Sequence, residues 1–273
     1  MKLSRTVAYA LQVEIENRRN LAVEAAREAG WMALEHFGTA DLRVERKADD
    51  SPVTLADRRV EEHLRHRIAE AFPEDAIHGE ELPDRSGSSP FRWILDPIDG
   101  TKSFIYGVPL FGTLLGVEHE GRPVSGVIHI PGTGESVYAS HGGGAWYVKN
   151  HSRPRRARVS SCRRLADGLF VTSEIKLWWQ TGRGDTFCRL QAAARLARSW
   201  GDCYGYLLVA TGRADLMLDP QMALWDAAPL LPILEEAGGK FTDWKGTPTI
   251  YGGEGIGTNG HLHGEVLELI GGQ

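Results

Sequence analysis

The chain has 273 residues, of which 42% are hydrophobic and 25% are charged, and its formal net charge at pH 7 is −5. This composition is ordinary for a folded protein, and the length allows one large domain or two closely joined halves. The negative charge argues against nonspecific binding to nucleic acid or to anionic membrane surfaces. It does not exclude phosphate substrates, because a bound metal ion can reverse the charge of a site.

The cysteine count and the N-terminal sequence bear on the compartment. Three cysteines are too few for a disulfide framework, and they have no zinc-binding spacing. Residues 1–20 are mixed and charged and lack the apolar segment of a secretory signal. No stretch approaches the ~20 consecutive apolar residues that a membrane span needs. We therefore expect a cytoplasmic protein with reduced thiols.

The first half of the chain predicts two helices followed by strands. Apolar residues recur at helical spacing over 13–37, and Gly38 is the expected stop. Thr54 is the expected N-cap of a second helix that ends before Pro73. Over 92–147, short apolar runs are separated by glycine and proline, which is typical of strands joined by turns.

The second half of the chain alternates between strand and helix patterns. Strands are predicted at 169–173, 214–218 and 240–244, and helices at 185–198 and 226–237. Because strands and helices are mixed in both halves, we expect layers of helices and sheets.

The most informative motif is a run in which an apolar strand, residues 93–95, leads into Asp96 and Asp99. Two carboxylates held this close are unfavourable unless a cation lies between them. Magnesium prefers oxygen ligands such as carboxylates, carbonyls and hydroxyls. The run therefore predicts the floor of a divalent-metal site, although Asp-Pro and Asp-Gly are also good formers of plain turns.

Three other acidic elements are candidates for the same site: Asp57, the pair Glu80-Glu81, and Asp226. Each also has an ordinary structural explanation. Asp57 and Asp226 lie at the starts of predicted helices, where acidic side chains stabilise the N-terminus. The two glutamates could be solvated loop charges, so these residues taken singly leave both interpretations open.

In combination, these motifs resemble the metal-binding motifs of the inositol monophosphatase family. The segments that carry the resemblance are 47–57, Gly79-Glu80-Glu81, Asp96-Pro97-Ile98-Asp99-Gly100-Thr101 and Trp225-Asp226-Ala227-Ala228. The resemblance spans nearly the whole chain. It implies an α/β (α+β) fold, a layered α-β-α-β-α sandwich of the inositol monophosphatase and fructose-1,6-bisphosphatase type. It also implies a phosphoric monoester hydrolase that forms a homodimer.

The resemblance further implies two halves with different tasks. The N-terminal half, 1–155, would carry most of the metal ligands. The C-terminal half, 156–273, would supply Asp226 and the substrate pocket. The active site would then lie between the halves, as ligand sites often do.

By resemblance, the acidic motifs hold two Mg²⁺ ions and a third, weaker one. Glu80, Asp96, the Ile98 carbonyl and Thr101 would surround the first ion, and Asp96, Asp99 and Asp226 would hold the second. The third ion would lie near Glu80 and be bound through water. Two metal ions suit phosphate-ester hydrolysis, because they can activate a water and stabilise the leaving oxygen.

The resemblance also implies that Asp57, Glu80 and Thr101 are the catalytic residues. Thr101 paired with Asp57 would help to orient and deprotonate the attacking water. Gly100 and Thr101 are expected to begin a helix whose free N–H groups receive the phosphate.

The segment that follows Arg198 bears on the substrate. Inositol-preferring members of the family have a small hydroxyl residue after the position of Gly201, followed by alanine, whereas this chain has Asp202 and Cys203. Together with Asp219, this pattern resembles the histidinol-phosphatase branch. L-Histidinol phosphate carries an ammonium and an imidazole beside its phosphate ester, and the two aspartates could pair with those groups. The expected substrate-binding residues are Asp99, Gly100, Thr101, Gly201, Asp202, Cys203, Asp219 and Asp226.

The leading hypothesis is therefore Mg²⁺-dependent hydrolysis of a small-molecule phosphate ester, L-histidinol phosphate, in histidine biosynthesis. The alternatives on the same metals are an inositol-1-phosphatase or a broad phosphatase for sugar phosphates or nucleotides. An alternative of another class is a non-catalytic, protein-binding member of the fold, against which the intact set of acidic residues argues. Asp202 as a cap and Asp219 as an ordinary residue before Pro220 are structural explanations that the sequence leaves open.

Overall fold

The structure, a computed structural model, describes residues 5–39, 44–46 and 52–271. The segment 47–51, which contributes to the family resemblance, lies outside the described residues. The helices are α1 (Arg5–His36), α2 (Leu55–Ala71), α3 (Thr101–Ile105), α4 (Ile175–Gln180), α5 (Gly184–Ala193), α6 (Cys203–Ala210), α7 (Leu224–Ala227), α8 (Leu230–Glu236) and α9 (His263–Gly271). The strands are β1 (Val44–Arg46), β2 (Pro52–Thr54), β3 (Ala76–Gly79), β4 (Phe91–Asp99), β5 (Gly112–His119), β6 (Arg122–Ile130), β7 (Glu135–Ser140), β8 (Gly144–Lys149), β9 (Arg155–Arg156), β10 (Leu169–Val171), β11 (Leu196–Arg198), β12 (Leu216–Asp219), β13 (Lys240–Thr242) and β14 (Gly255–Thr258).

Helix α1 covers one face of the larger sheet, which is formed by β3 to β9, through small side chains. Ala25, Ala26 and Ala29 are completely buried, so that the helix axis can lie close to the strands. The helix begins at Arg5, earlier than predicted, and Gly38 follows it with a φ of +70°, as expected for a left-handed stop. None of the helices that the structure describes is both long and apolar enough to cross a membrane.

Helix α2 begins as the sequence predicts. The Thr54 side chain caps it, and the Asp57 carboxylate accepts the Thr54 N–H at 2.8 Å to complete a capping box. Val60, Leu64 and Ile68 recur every four residues on one face and are fully buried. The cap therefore fixes the Asp57 carboxylate at the N-terminal end of α2.

Strands β3 to β9 form one sheet in chain order, in which β3 and β4 are parallel and the later neighbours are antiparallel. The register between β4 and β5 shifts, because Asp96 pairs with Leu114 while Asp99 pairs with Gly112. Two residues of β4 therefore oppose Thr113 alone, which is a β-bulge. Residues three apart in a regular strand point to opposite faces, so the bulge is what allows both aspartates to share one face.

Strands β10 to β14 form a second sheet in the order β11-β10-β12-β14-β13. Helices α6 and α8 lie between the two sheets, where Leu207 and Ile233 share one core with Ile128 and Phe241, one from each sheet. Helices α4, α5 and α9 form a separate core with the outer face of the second sheet. The described residues thus have the layered α-β-α-β-α arrangement, and the predicted fold is confirmed.

Two helix predictions in the second half are wrong in their extent. The helix expected over 185–198 ends at Ala193, and Leu196–Arg198 pairs instead with β10 as a parallel edge strand. The helix expected over 226–237 is interrupted between α7 and α8 at Pro229, which has no N–H to continue the helical bonding. In both places, the hydrogen bonds available to the backbone, and not the helical spacing of apolar residues, decide where the helix ends.

Candidate active site

Three carboxylates meet where strand β4 ends. Asp96 and Asp99 flank the β4 bulge, and Asp226 lies in the first turn of α7. Each offers a carboxylate oxygen, and these three oxygens lie within 4.8 Å of one another. Backbone N–H groups hold two of the three carboxylates. The Cys203 N–H donates to Asp99 Oδ2 at 2.6 Å, and the Ala223 N–H donates to Asp226 Oδ2 at 2.7 Å. The fold thus joins two acidic motifs that are far apart in the sequence.

Burial and the charges of nearby carboxylates raise the pKa of each member of this cluster. Burial is the main cause for Asp96 and Asp99, and the pKa of each lies well above the usual range of a carboxyl group. Burial raises the pKa of Asp226 to about 7. Asp96 Oδ1 is also buried without a hydrogen-bond partner. Closely spaced carboxylate oxygens with one buried acceptor unsatisfied fit a divalent cation, whose charge would remove the repulsion.

Glu80 interacts electrostatically with the cluster and with Asp57, although neither residue belongs to the group of three. The negative charge of Glu80 contributes to the raised pKa of Asp57, Asp96 and Asp226. Burial, the larger cause, raises the pKa of Asp57 to about 6. Asp57 Oδ2 accepts the Thr54 hydroxyl at 2.6 Å, whereas Asp57 Oδ1 is buried without a partner. One oxygen of Asp57 is therefore used by the helix cap, and the other is left for a further group.

A tight turn follows the bulge and begins α3. Gly100 has a φ of +78°, which favours glycine, and a Cβ atom at this position would lie 2.9 Å from Asp202 Oδ2. The Thr101 hydroxyl donates to the Ile98 carbonyl at 3.1 Å. The hydrogen bond between Thr101 and Asp57 that the resemblance implies is not formed among the described residues. Each of these two side chains bonds instead to a residue three positions before it in the chain.

A cavity of about 140 Å³ opens beside the cluster. The predicted substrate residues that line it are Asp99, Asp202, Cys203, Asp219 and Asp226. Gly100, Thr101 and Gly201 are not part of its lining. The structure therefore gathers the acidic members of the predicted set around one cavity.

Two carboxylates on the cavity wall differ in how their oxygens are used. Asp219 is buried and accepts the Ser173 N–H at 3.1 Å and the Tyr206 hydroxyl at 3.0 Å. Burial raises the pKa of Asp219 to about 7, and these hydrogen bonds oppose that rise. Asp202 is half-buried, and burial is the main cause of its raised pKa. Asp202 is thus the more accessible of the two carboxylates.

Gly201 and Cys203 allow this wall to pack tightly. A Cβ atom at Gly201 would overlap the side chain of Ser173, so the glycine permits the close approach of the two segments. Cys203 is buried, and burial followed by the charge of Asp99 raises the pKa of its thiol well above the usual range. A thiol that stays protonated is a poor nucleophile, which favours a packing role for this cysteine.

Ser173 and Glu174 also line the cavity, although they belong to none of the sequence motifs that predicted the site. They follow β10, which is paired in parallel with β11 and β12. Sheets of this kind commonly bind ligands beyond the carboxyl ends of their parallel strands, and this was the signal that could have found them. Glu174 forms an ion pair with the exposed Lys102 of α3.

Comparison with known proteins agrees with this geometry. Residues 14–271 match the profile of the inositol monophosphatase family. The chain belongs to the inositol monophosphatase family. A histidinol-phosphatase from Chlorobaculum parvum is 40% identical over 252 residues, covering 92% of this chain and 95% of the relative. A histidinol-phosphatase from Streptomyces coelicolor is 38% identical over 254 residues, with coverage of 92% and 95%.

The fold agrees with solved structures of the family. The structure of the extragenic suppressor protein suhB from Bartonella henselae superposes with a TM-score of 0.84 at 30% identity, covering 92% of this chain and 97% of that one. The family match and the named relatives make this chain a phosphomonoesterase, which confirms the predicted class of enzyme.

Proposed function

We propose that the enzyme hydrolyses L-histidinol phosphate to L-histidinol and phosphate in histidine biosynthesis, with Mg²⁺ as its cofactor. The observation that carries this proposal is the position of Asp202. Its carboxylate lies beside the Gly100 turn, on the wall of the cavity that Asp99 and Asp226 of the cluster also line. A phosphate ester bound at the cluster would therefore have an acidic group next to its organic part. The names of the similar histidinol-phosphatases support the same substrate.

The proposed metal site uses the oxygen-rich end of β4. The residues that would hold two Mg²⁺ ions are Glu80, Asp96, the Ile98 carbonyl, Asp99 and Asp226, with a third ion near Glu80. Bound Mg²⁺ would supply a water of lowered pKa and would neutralise the phosphoryl oxygens. The closely spaced carboxylate oxygens and the unsatisfied Asp96 Oδ1 support this assignment.

The remaining roles belong to side chains at the edge of the cluster. We assign to Asp57 and Thr101 the orientation of the attacking water, with the unpartnered Asp57 Oδ1 as the acceptor of its proton. The Gly100-Thr101 turn would receive the phosphate. The cap that holds Asp57 Oδ2 leaves Oδ1 with a fixed direction, which favours proton transfer to one place.

The organic part of the substrate would be bound by the acidic wall. The accessible Asp202 would pair with one of the two cationic groups of L-histidinol phosphate, while Asp219, already holding two hydrogen bonds, would add negative charge behind it. Gly201 and Cys203 would support this wall by close packing. An uncharged polyol offers no cation to these carboxylates, so we expect it to be the weaker substrate.

The lining of the cavity supports a site between the two halves of the chain, with Asp99 from 1–155 and Asp202, Asp219 and Asp226 from 156–273.

We further propose that the enzyme is a cytoplasmic homodimer. Light scattering of the purified protein tests the dimer, and a monomeric mass would contradict it.

The first test is phosphate release from L-histidinol phosphate, inositol-1-phosphate and adenosine monophosphate, each measured with Mg²⁺ and with EDTA. We expect a strong, Mg²⁺-dependent preference for L-histidinol phosphate. A preference for inositol-1-phosphate, or none at all, would refute the proposed substrate and leave the metal site in place. No release from any of the three esters would favour the non-catalytic alternative.

The second test is Asp202→Thr, which removes the carboxylate that carries the proposal. We expect kcat/KM for L-histidinol phosphate to fall by about 10- to 100-fold, the size of a charged hydrogen bond, because this pairing would be lost. The matched control is Glu174→Gln on the same cavity wall, which keeps Asp202 intact. Unchanged turnover of L-histidinol phosphate by Asp202→Thr would contradict the assignment.

A further inference from the structure

The backbone that carries Glu80 is held from two sides. Glu80 follows β3 directly, and its N–H donates to the Leu95 carbonyl of β4 at 3.2 Å. On the other side, the turn formed by 81–83 contacts the buried face of α2 through Glu61 and Arg65. The position of Glu80 therefore depends on both the sheet and this helix.

Glu61 binds the turn through its carboxylate. The side chain is fully buried, Oε2 accepts the Glu81 N–H at 2.7 Å, and Oε1 accepts the Leu82 N–H at 3.2 Å. Arg65, one helical turn later, donates to Glu61 Oε1 at 2.8 Å. The buried carboxylate is thus paired with a cation and bonded to two backbone groups, unlike the carboxylates of the metal cluster.

Arg65 completes the attachment from the carbonyl side of the same turn. Its two terminal nitrogens donate to the carbonyls of Leu82 and Pro83, both at 2.9 Å. The ion pair therefore satisfies N–H and C=O groups of a turn that lies outside the named strands. Each group lost from the pair would leave backbone polar atoms without their partner.

Gly79 makes this arrangement possible. A Cβ atom at position 79 would overlap Glu61 Oε1, and it would lie 2.5 Å from Glu61 Cδ and 2.9 Å from Arg65 Nη2. The φ of Gly79 lies outside the left-handed region, so the need for glycine here comes from the contact with Glu61. The missing side chain of Gly79 therefore leaves the space that the Glu61 carboxylate of α2 occupies.

Helix α2 also carries Asp57 one turn before Glu61. One helix face therefore presents Asp57 directly to the site and fixes the Glu80 turn through Glu61 and Arg65. We propose that Glu61 and Arg65 are positioning residues that direct Glu80 towards the metal cluster and so set the affinity for Mg²⁺. This inference rests on the proposed Mg²⁺ dependence.

The test compares two buried carboxylates that each pair with an arginine. Glu61→Gln removes the charge that holds the Glu80 turn. The matched control, Glu118→Gln, acts on a buried carboxylate of β5 that pairs with Arg92 near the start of β4. Each metal-free protein is titrated with Mg²⁺ by calorimetry, and the Mg²⁺ dependence of phosphate release and the melting temperature are measured in parallel.

We expect Glu61→Gln to raise the Mg²⁺ dissociation constant by about 10- to 100-fold, as is usual when the support of a metal ligand is lost. Most of kcat should return at saturating Mg²⁺, because Glu61 touches neither metal nor substrate. Glu118→Gln should lower the melting temperature with an unchanged Mg²⁺ dissociation constant.

Two further variants keep the test decisive if Glu61→Gln does not fold. Gly79→Ala displaces the Glu61 carboxylate from the turn and should weaken Mg²⁺ binding in the same way. Arg65→Lys keeps the charge opposite Glu61 but cannot reach both carbonyls, so it should give a smaller loss of affinity than Gly79→Ala.

Wild-type Mg²⁺ affinity in Glu61→Gln, or in Gly79→Ala where the first variant does not fold, would overturn the positioning role. The proposed function itself, and the inference with it, would be overturned by a wild-type enzyme that binds no Mg²⁺ in calorimetry and releases phosphate equally well in EDTA.

Discussion

At the scale of single residues, the acidic cluster opposes folding of the metal-free protein. Asp96, Asp99 and Asp226 bring negative charge into a region from which water is largely excluded, and each has a raised pKa. Such an arrangement is unfavourable unless a cation compensates it. A substitution that removes one charge should therefore change stability and activity in opposite directions.

Asp99→Asn tests this opposition, since the amide keeps an oxygen that can accept the Cys203 N–H. We expect phosphate release to fall by at least about 100-fold, because a proposed metal ligand is lost. The melting temperature in EDTA should rise by about 2–4 °C, the shift expected from roughly 1 kcal/mol of relieved repulsion. The exposed Asp167→Asn serves as the control in scanning calorimetry and phosphate assays. A lower melting temperature for Asp99→Asn in EDTA would contradict the argument.

At the scale of secondary structure, α2 links helix stability to the site. The same Asp57 side chain completes the helix cap and keeps one buried oxygen without a hydrogen-bond partner. The cap therefore orients the carboxylate as well as starting the helix. Loss of the cap should therefore lower both the stability of the protein and its turnover of substrate.

Thr54→Ala removes the hydroxyl that donates to Asp57 and accepts the Ala56 N–H. We expect the free energy of unfolding in urea to fall by about 1–2 kcal/mol, the usual effect of losing an N-cap. The value of kcat should fall as well, because Asp57 loses a fixed direction. Thr54→Ser retains the hydroxyl and should keep most of both properties. Equal losses in the two variants would show that the methyl group, and not the cap, is responsible.

At the scale of the whole molecule, three apolar cores hold the fold together. One core lies between α1, α2 and the larger sheet, a second surrounds α6 and α8, and a third lies outside the smaller sheet. These cores are apolar and do not depend on a metal ion. The fold should therefore survive metal removal, unlike that of a small domain built around its metal.

Chelation tests this independence. We expect EDTA to abolish phosphate release while the far-ultraviolet circular dichroism stays unchanged. Mg²⁺ at 100 times its dissociation constant should add about 2.7 kcal/mol of stability, since it binds the folded state alone. Ca²⁺ chelation by EGTA in excess Mg²⁺ is the control. Unfolding on addition of EDTA would instead indicate structural metals.

His129 should give the whole protein a pH-dependent stability. It is buried on β6, its Nδ1 lies 2.8 Å from Ser136 Oγ, and burial followed by the charge of Arg27 lowers its pKa to about 4. As the pH falls below about 6.5, the unfolded chain gains a proton here that the folded protein does not bind, so stability decreases. The full effect, reached near pH 4, is about 3 kcal/mol.

The measurement is the urea unfolding free energy of the wild type and of His129→Gln between pH 7 and pH 4. The buried carboxylates with raised pKa act in the opposite direction, because the folded protein then binds protons first. Their effect is common to both proteins, so the difference between the two curves isolates His129. Parallel curves would contradict a neutral, buried histidine.

Local signals explain how much of this protein could be predicted from its sequence. The Thr54 cap, the Gly38 stop and the apolar spacing of α2 depend on residues within one or two helical turns, and each prediction is confirmed. The end of α5 could not be predicted in this way. The edge strand Leu196–Arg198 pairs with Leu169–Val171, and this pairing between distant segments replaces the last helical turn.

The sequence by itself determined which chemical groups this protein carries, its local helix signals and its family, because those depend on residue types and short spacings. Only the tertiary structure decided how the groups meet. The bulge turns Asp96 and Asp99 to one face, Asp202 approaches Gly100, and Glu61 reaches the turn after Glu80. Each of these depends on the register of a strand or on contact between segments far apart in the chain, which no local pattern records.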